Sequence, residues 1–442
     1  EDRLVSGFDP TDRGFFHGGD IQGLREQLPY IRDLGQTAIW LTPSFVNRPV
    51  QGGPGEESAG YHGYWITDFT QIDPHFGTNE ELKALIDEAH VMGIDVYFDI
   101  ITNHTADVIY YAGYEGTNPP YIYKDDVPYR DVDGNAFDPS DYAAGDAAMP
   151  LMNPDTSSFP YDPEIPEGKD DIKFPQWLND PTLYHNRGHD PAWPAGEPAI
   201  YMDFGDLDDL MTENQIVVDG MIDIYKTWVD FGVDGFRIDT VKHVDFVFWQ
   251  EFTKAIADHA EATGNPDFFM FGEVYDADAR LLSPYVRDTD MNSVLDFAYQ
   301  SSVSGFAKGG PGSSLGAFFS ADDYYTTPDS SASALPTFVG NHDMGRIGYL
   351  LKDTSNPLGR SLMYLTRGQP VLYYGDEQLL MGDDGGQGGT DKAARESLFA
   401  TQTADYADNM LLDGTPATPA DRYGETVMTQ LISELGDLRQ GH

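Results

Sequence analysis

Gly235-Phe236-Arg237-Ile238-Asp239-Thr240-Val241-Lys242-His243 is the stretch on which the fold turns. Gly235–Ile238 reads as a short buried strand, and Arg237 and Asp239, two residues apart, stand on one face of it. A guanidinium at that spacing is expected to hold the carboxylate ionised. Just upstream, Gln215–Val229 carries apolar residues at helical spacing; downstream, Phe268–Val274 reads as another strand that delivers Glu273 out of an apolar run, the setting in which a carboxyl serves as an acid. Helix and strand periods alternating in this way argue for βα units around a parallel sheet.

The same alternation extends outward. Ile21–Leu34 has helical spacing and Thr37–Leu41 reads as a strand; Glu80–Met92 is a helix entered through Thr78 as N-cap, and Ile94–Thr102 is the next strand. Between Thr105 and Gly205 the pattern stops for roughly a hundred residues rich in Tyr, Pro, Asp and Gly, too long for an ordinary loop. Further strand-like runs follow at Val294–Phe297, Thr337–Asn341 and Val371–Tyr374, and Gly309–Gly316 and Gly382–Gly389 read as surface loops. The expectation is a TIM (β/α)8 barrel with seven visible strands, the first strand missing, and a subdomain inserted after the third. Its boundaries are 1–104 and 206–442 for the barrel and 105–205 for the insertion.

Charge excludes one class of partner. Twenty-six Lys and Arg against 74 Asp and Glu leave a net charge of −48, a field that repels a phosphate backbone, so no nucleic acid is expected. The carboxylates are spread along the chain, a pattern read as adaptation to high salt, where the screening length falls to about 3 Å at 1 M. Without Cys there is no thiol chemistry, and no apolar stretch approaches the ~18 residues of a membrane helix.

Acidic and imidazole side chains collect where the strands end: Asp99, Asn103 and His104; Arg237 and Asp239; Glu273; His342 and Asp343. In a (β/α) barrel those ends form the active face. Paired carboxylates there suit glycosidic cleavage, which needs a nucleophile and an acid/base around an oxocarbenium-like transition state. Two other motifs carry less. Gly312-Ser313-Ser314-Leu315-Gly316 matches a serine-hydrolase elbow but lacks a leading strand, and Asn103-His104-Thr105 is a glycosylation sequon at the end of a buried strand.

Four segments, in order, carry a resemblance to the α-amylase family of glycoside hydrolases: Asp99-Ile100-Ile101-Thr102-Asn103-His104, Gly235 to His243, Phe271-Gly272-Glu273-Val274 and Phe338-Val339-Gly340-Asn341-His342-Asp343. Tyr61-His62-Gly63-Tyr64-Trp65, Gly205-Asp206-Leu207-Asp208-Asp209-Leu210 and Gly368-Gln369-Pro370-Val371-Leu372-Tyr373-Tyr374-Gly375 agree with it. By position, the resemblance implies Asp239 as nucleophile, Glu273 as acid/base and Asp343 as the carboxylate that stabilises the transition state. His62, His104, Arg237 and His342 would bind the sugar, Tyr64 would stack on it, and Lys242 and His243 would serve the substrate's reducing side.

The resemblance also implies a Ca2+ ion held by Asn103, Asp209 and the backbone carbonyl of His243, all oxygen donors as a hard cation requires. Asp208 stands where the family often carries Pro, which leaves Asp206 and Asp208 as alternatives to Asp209. The implied activity is retaining, endo-acting hydrolysis of α-1,4 bonds in starch-like glucans, with a glucan transferase of the same fold as the alternative. A non-catalytic family member would have lost the carboxylates, and here all three stand. A secreted monomer is expected, with an α-glucan as its only partner. Asp2-Arg3 resembles the pair that follows the family's first strand, and the family's all-β C-terminal domain is absent after Leu431–Leu438, so a fragment of a longer protein is expected.

Overall fold

The computed structural model describes residues 2–145, 147–382, 391–407, 409–417 and 420–441. Five parallel strands pair in chain order: β1 (Ala38–Leu41), β2 (Asp95–Ile100), β3 (Gly235–Ile238), β4 (Phe269–Gly272) and β5 (Ser293–Val294). A separate parallel pair, β6 (Pro336–Thr337) and β7 (Gln369–Pro370), continues the series, tied to the first group by the Asp296 N–H donating to Pro336 O at 3.0 Å. Six of the seven expected runs contribute to these strands, Val294–Phe297 and Thr337–Asn341 by their first residue only, and β7 lies just before the seventh, Val371–Tyr374. Among the described residues no ladder joins β7 to β1, so the barrel is not closed.

Register is what builds the site. Arg237 lies opposite Asp99 on β2 and opposite Phe271 on β4. The ladder runs one rung further, with Asp239 N–H donating to Ile100 O at 2.9 Å and Glu273 N–H to Ile238 O at 2.7 Å. Because side chains alternate along a strand, Asp99, Arg237, Asp239, Phe271 and Glu273 share the interior face. Below them Trp40, Tyr97, Phe269, Phe271 and Phe338 pack as the interior layer. Gly235 opens this arrangement: a Cβ there would stand 2.1 Å from Phe269 O and 2.4 Å from the Tyr97 ring.

The outer layer is helical. Helix α1 (Ile21–Asp33) precedes β1, and α2 (Asn79–Val91) precedes β2, entered through a capping box in which Glu81 N–H donates to Thr78 Oγ1 at 3.2 Å and Thr78 N–H to Glu81 Oε2 at 2.9 Å. Helix α3 (Gln215–Phe231) buries Met221, Tyr225 and Trp228 against the sheet, and α4 (Phe246–Thr263) packs beside it. Helix α5 (Phe297–Ala307) follows β5. Among the described residues, 104–209 hold two-residue antiparallel pairs, three short 3-10 turns and the one short helix Glu197–Tyr201, and Tyr129 and Phe159 form a small core with Met211.

Three expectations need correction. Thr337–Asn341 and Val371–Tyr374 pair only at their N-terminal ends, because after Thr337 the chain is bent by the close Asn341 and Gly345 backbone exchange. Gly309–Gly316 is not a loop throughout: Gly312–Phe319 forms helix α6, held by Phe318, which meets the Tyr299 ring edge-on at 5.9 Å and lies under the Arg367 guanidinium. Ser314 therefore sits in a helix with no strand leading into it. Of the other glycine-rich stretch, 383–389 lies outside the described residues. Among the described residues no helix is long and apolar enough to cross a membrane.

Candidate active site

The Arg237 guanidinium, 1% exposed, sits between three carboxylates: Asp99 Oδ1 at 2.8 Å, Asp239 Oδ1 at 2.5 Å and Glu273 Oε2 at 3.3 Å. Its flat face lies over the Trp40 ring at 5.2 Å. Asp99 is further held by Trp40 Nε1 at 3.0 Å and the Tyr64 hydroxyl at 3.1 Å. Glu273 also accepts the Thr240 N–H at 3.0 Å. Thr240 has φ 52, an unusual conformation for a β-branched residue, which turns that N–H back toward the neighbouring strand.

Two buried carboxylates and the partly buried Glu273 against one guanidinium leave surplus negative charge. Burial pushes Asp239 well above the usual carboxylate range; Arg237 opposes this, while Glu273 and Asp99 add to it. Asp99 is pushed up to about 6, by burial first and against the pull of Arg237. The simple expectation that Arg237 keeps Asp239 ionised at a low pKa is therefore corrected. The cation is shared three ways, and burial outweighs its share for Asp239.

A second group surrounds this one. Gly63, at φ +89 and with room for no Cβ beside Pro43 O, makes the turn that brings His62 and Tyr64 together, their rings stacked at 5.7 Å. The Tyr64 hydroxyl spends its proton on Asp99, so His342 Nε2, 3.1 Å away, must carry the hydrogen there. The same Nε2 lies 3.2 Å from Asp343 Oδ2. Asp343 is not among the ligands of Arg237; its side chain is 45% exposed and joins the group through His342. Burial pulls His62 and His342 well below the usual imidazole range.

The third group lies toward the 104–209 segment. His104, pulled down to about 3 by burial, stacks flat on Phe204 at 5.2 Å, and its buried Nε2 has no hydrogen-bond partner among the described residues. His243 packs on the other ring edge of Phe204 at 5.0 Å and on Trp193 at 6.1 Å, with Nδ1 2.9 Å from Ala199 O. Lys242 Nζ donates to Tyr275 O at 3.1 Å. His62, Tyr64, His342 and Asp343 thus join the Arg237 cluster through Asp99, His104 and His243 meet on Phe204, and Lys242 reaches only the Tyr275 carbonyl. Asp99 is legible as a strand-end carboxylate but its tie to Arg237 is not, and Trp40 announces itself only as the last aromatic of a strand. Trp193 and Phe204 come from a run with no periodicity to read.

The implied calcium donors fit a hard cation in their chemistry. Asn103 and Asp209 are buried, and the Asn103 side chain hydrogen-bonds the Asp209 carboxyl. His185 Nδ1 stands 2.6 Å from Asp209 Oδ2 and its Nε2 2.9 Å from Glu213 Oε2, so two carboxylates share one imidazole. Among the described residues Glu213 Oε1 is buried without a hydrogen-bond partner, and Asp209 is pushed up to about 7, by burial first. The pocket is short of positive charge. Asp208 is used elsewhere, in a buried ion pair with Lys173 at 2.5 Å. Among the described residues no group of three His, Cys, Asp or Glu side chains is arranged to hold a metal ion by itself, and the implied set of one carboxylate, one amide and one carbonyl is of another kind.

The family model for the alpha amylase catalytic domain matches residues 5–410. The chain belongs to that family. It is 50% identical to an α-amylase of Streptomyces lividans over all of this chain and 48% of that protein. It is 26% identical to a cyclomaltodextrin glucanotransferase of Klebsiella oxytoca over 91% of this chain and 59% of that one. The chain thus spans about half the length of these relatives. The solved α-amylase of Geobacillus thermoleovorans complexed with acarbose superposes with a TM-score of 0.66 at 26% identity, over 99% of this chain and 77% of that one. Through the family and these neighbours the fold is that of a TIM barrel.

The neutral imidazole of His342 makes a pH prediction. Its folded pKa lies below the unfolded value of about 6.5, so the unfolded state binds more protons; the stability it contributes is present above pH 6.5 and is lost as pH falls. Denaturant unfolding of wild type and His342→Gln at pH 7.5 and 5 should show the smaller acid loss in the variant. Equal losses would remove His342 from the acid response.

Proposed function

We propose that the chain carries the catalytic part of a retaining glycoside hydrolase that cleaves internal α-1,4 bonds of starch-like glucans. The observation that carries this reading is Arg237 holding Asp239 and Glu273 side by side at the ends of β3 and β4. Retaining cleavage needs one carboxyl protonated and a neighbour ionised, and a cluster with surplus negative charge keeps a proton above the ordinary carboxylate range. For the first displacement the cluster's proton has to stand on Glu273 and leave Asp239 ionised in its pair with Arg237; Asp239 then attacks the anomeric carbon while Glu273 gives that proton to the departing glycosidic oxygen. Glu273 then takes a proton from water, the water oxygen attacks the same carbon, and Asp239 is released. Two displacements restore the α configuration.

Around that step, Asp343 and His342 hold the hydroxyls of the sugar being cleaved, with His62 and Arg237 behind them. Tyr64 presents its ring, and its hydroxyl, bound to Asp99, fixes the ring's tilt. His104 offers a buried nitrogen with no hydrogen-bond partner among the described residues. Lys242 and His243 serve the reducing side. A glucan transferase of the same fold is the second reading, favoured by the glucanotransferase relatives; it differs only in the acceptor, a sugar hydroxyl in place of water.

The organisation proposed is a barrel of 1–104 and 206–442 with an inserted subdomain at 105–205, and an eighth strand between the open edges of β1 and β7 to close it. Ca2+ held by Asn103, Asp209 and the His243 carbonyl would supply charge to a pocket short of it and pin the insertion to the barrel. The polymeric substrate, which cannot enter a cell, supports a secreted protein, and a monomer is the simplest state for it. The charge of −48 supports a salt-adapted one.

Asp239→Asn keeps volume and removes the attacking charge, so it should lower turnover on soluble starch at least about 10³-fold while leaving the unfolding transition in place. Wild-type product should appear first as the α-anomer in a polarimetric or NMR time course. A β-anomer, or an active Asp239→Asn, excludes this mechanism.

One melting series tests the ions. The transition should rise from dilute buffer to 1 M NaCl as screening shortens from about 10 Å at 0.1 M to about 3 Å. At 1 M NaCl a chelator should lower it again, because a ligand bound only by the folded state stabilises by mass action. Highest stability in dilute buffer would refute salt adaptation, and indifference to chelator would remove calcium.

A further inference from the structure

Strand β3 ends in a conformation that its own residue resists. Among the described residues the non-glycine positions with positive φ are Asn186, Trp193, Thr240, Asp353 and Leu379, and Thr240, at φ 52 and ψ 30, is the only β-branched one. A left-handed backbone crowds Cβ against the following carbonyl, a strain that Asn or Asp can relieve through a local side-chain hydrogen bond. Thr240 lacks that relief: its Oγ1 is buried without a hydrogen-bond partner among the described residues. Such a conformation persists where the surroundings over-determine it.

The turn brings two successive donors onto the residue that follows β4. Thr240 N–H donates to Glu273 Oε2 at 3.0 Å, and Val241 N–H donates to the Glu273 backbone O at 3.1 Å. In an extended strand successive N–H groups point to opposite sides, so an extended Thr240 would lose one of the two. Gly272 lets the turn settle, since a Cβ there would stand 2.9 Å from Val241 Cγ2 and 2.6 Å from Met291 Sδ. His243 N–H then donates to Thr240 O at 2.9 Å, which closes the short turn carrying Lys242.

This makes the two oxygens of Glu273 unequal. Oε2 accepts the Thr240 N–H and stands 3.3 Å from Arg237 Nη2. A hydrogen on Oε2 would meet two groups that are themselves donors, and neither can turn into an acceptor. We propose that Thr240 is a positioning residue of the acid/base: its N–H holds Glu273 Oε2 as acceptor, so that the proton to be transferred stands on Oε1. The inference rests on the reading of Glu273 as acid/base. In the first displacement the Oε1–H bond breaks, its electron pair stays on Oε1 and the proton goes to the departing glycosidic oxygen; in the second, Oε1 takes a proton from the attacking water. One atom serves both steps from one place, whereas a carboxyl free to rotate would present its proton to the substrate only part of the time.

Neutron diffraction from deuterium-exchanged crystals of Glu273→Gln reads the asymmetry directly, because the amide nitrogen and oxygen scatter differently and the change is isosteric. The amide oxygen should accept the Thr240 N–H, with the deuterated nitrogen in the place of Oε1. Kinetics reads the consequence. Thr240→Pro has no N–H and cannot take a positive φ, so kcat/KM on maltoheptaose should fall at least about 30-fold; on α-maltotriosyl fluoride, whose leaving group needs little protonation, it should fall less than about three-fold. Thr240→Gly, with both the N–H and the conformation available, should keep at least about ten times the maltoheptaose rate of Thr240→Pro. An amide nitrogen facing Thr240, or a folded Thr240→Pro that loses both substrates alike, overturns the proposal. If Thr240→Pro fails to fold, the amide orientation decides alone. A wild-type protein that cuts neither substrate overturns the functional reading instead, and the amide still judges the hydrogen bond.

Discussion

One buried guanidinium organises the strand-end cluster of this protein. Arg237 is nearly sealed from water, and a charge in that position is tolerable only when paired. It is paired three times over, with Asp99, Asp239 and Glu273, each from a different strand. The pairing therefore fixes the relative height of β2, β3 and β4 as well as the side chains. A slip of one residue in any of them would turn its carboxylate to the helical side and leave the cation short of a partner. Stability of the sheet register and geometry of the site are the same constraint.

The cost of this arrangement is electrostatic, and it suits the chemistry. Surplus negative charge in a buried cluster raises proton affinity, and the neighbouring imidazoles, pulled down by burial, add no positive charge to relieve it. The aromatic shell of Trp40, Tyr64 and Phe271 keeps the local dielectric low while supplying Asp99 with two hydrogen bonds from rings that cannot themselves ionise near neutrality. A proton held among carboxyls at the mouth of a sheet is what the proposed double-displacement cleavage needs before any substrate arrives.

Much of this was legible in the chain. Strand-end chemistry at Arg237, Asp239 and Glu273 could be read because period-two patterning fixes which residues share a face, and Thr78 could be named as a cap from local chemistry alone. What could not be read depends on long-range contact. The direction of the Asp239 shift follows from how three strands share one cation, which no single segment reveals. Trp193 and Phe204 reach the cleft from an aperiodic stretch, and helix α6 forms where glycines suggest a loop because Phe318 finds the Tyr299 ring and the Arg367 guanidinium. The paired lengths of β6 and β7 likewise depend on a bend at Asn341 that lies beyond the strand itself.

The central claim is that Arg237 is the shared counter-charge of three carboxylates. Its most direct test is the unfolding free energy of Arg237→Met against wild type at pH 8 and pH 5. Without the cation, Asp99 and Asp239 are buried and unpaired when ionised and the partly buried Glu273 loses a partner, which should cost at least about 3 kcal/mol at pH 8. Acid groups whose folded pKa is raised give stability at low pH and lose it as pH rises, so the loss at pH 5 should be clearly smaller. A loss of the same size at both pH values, or none at either, would contradict the account.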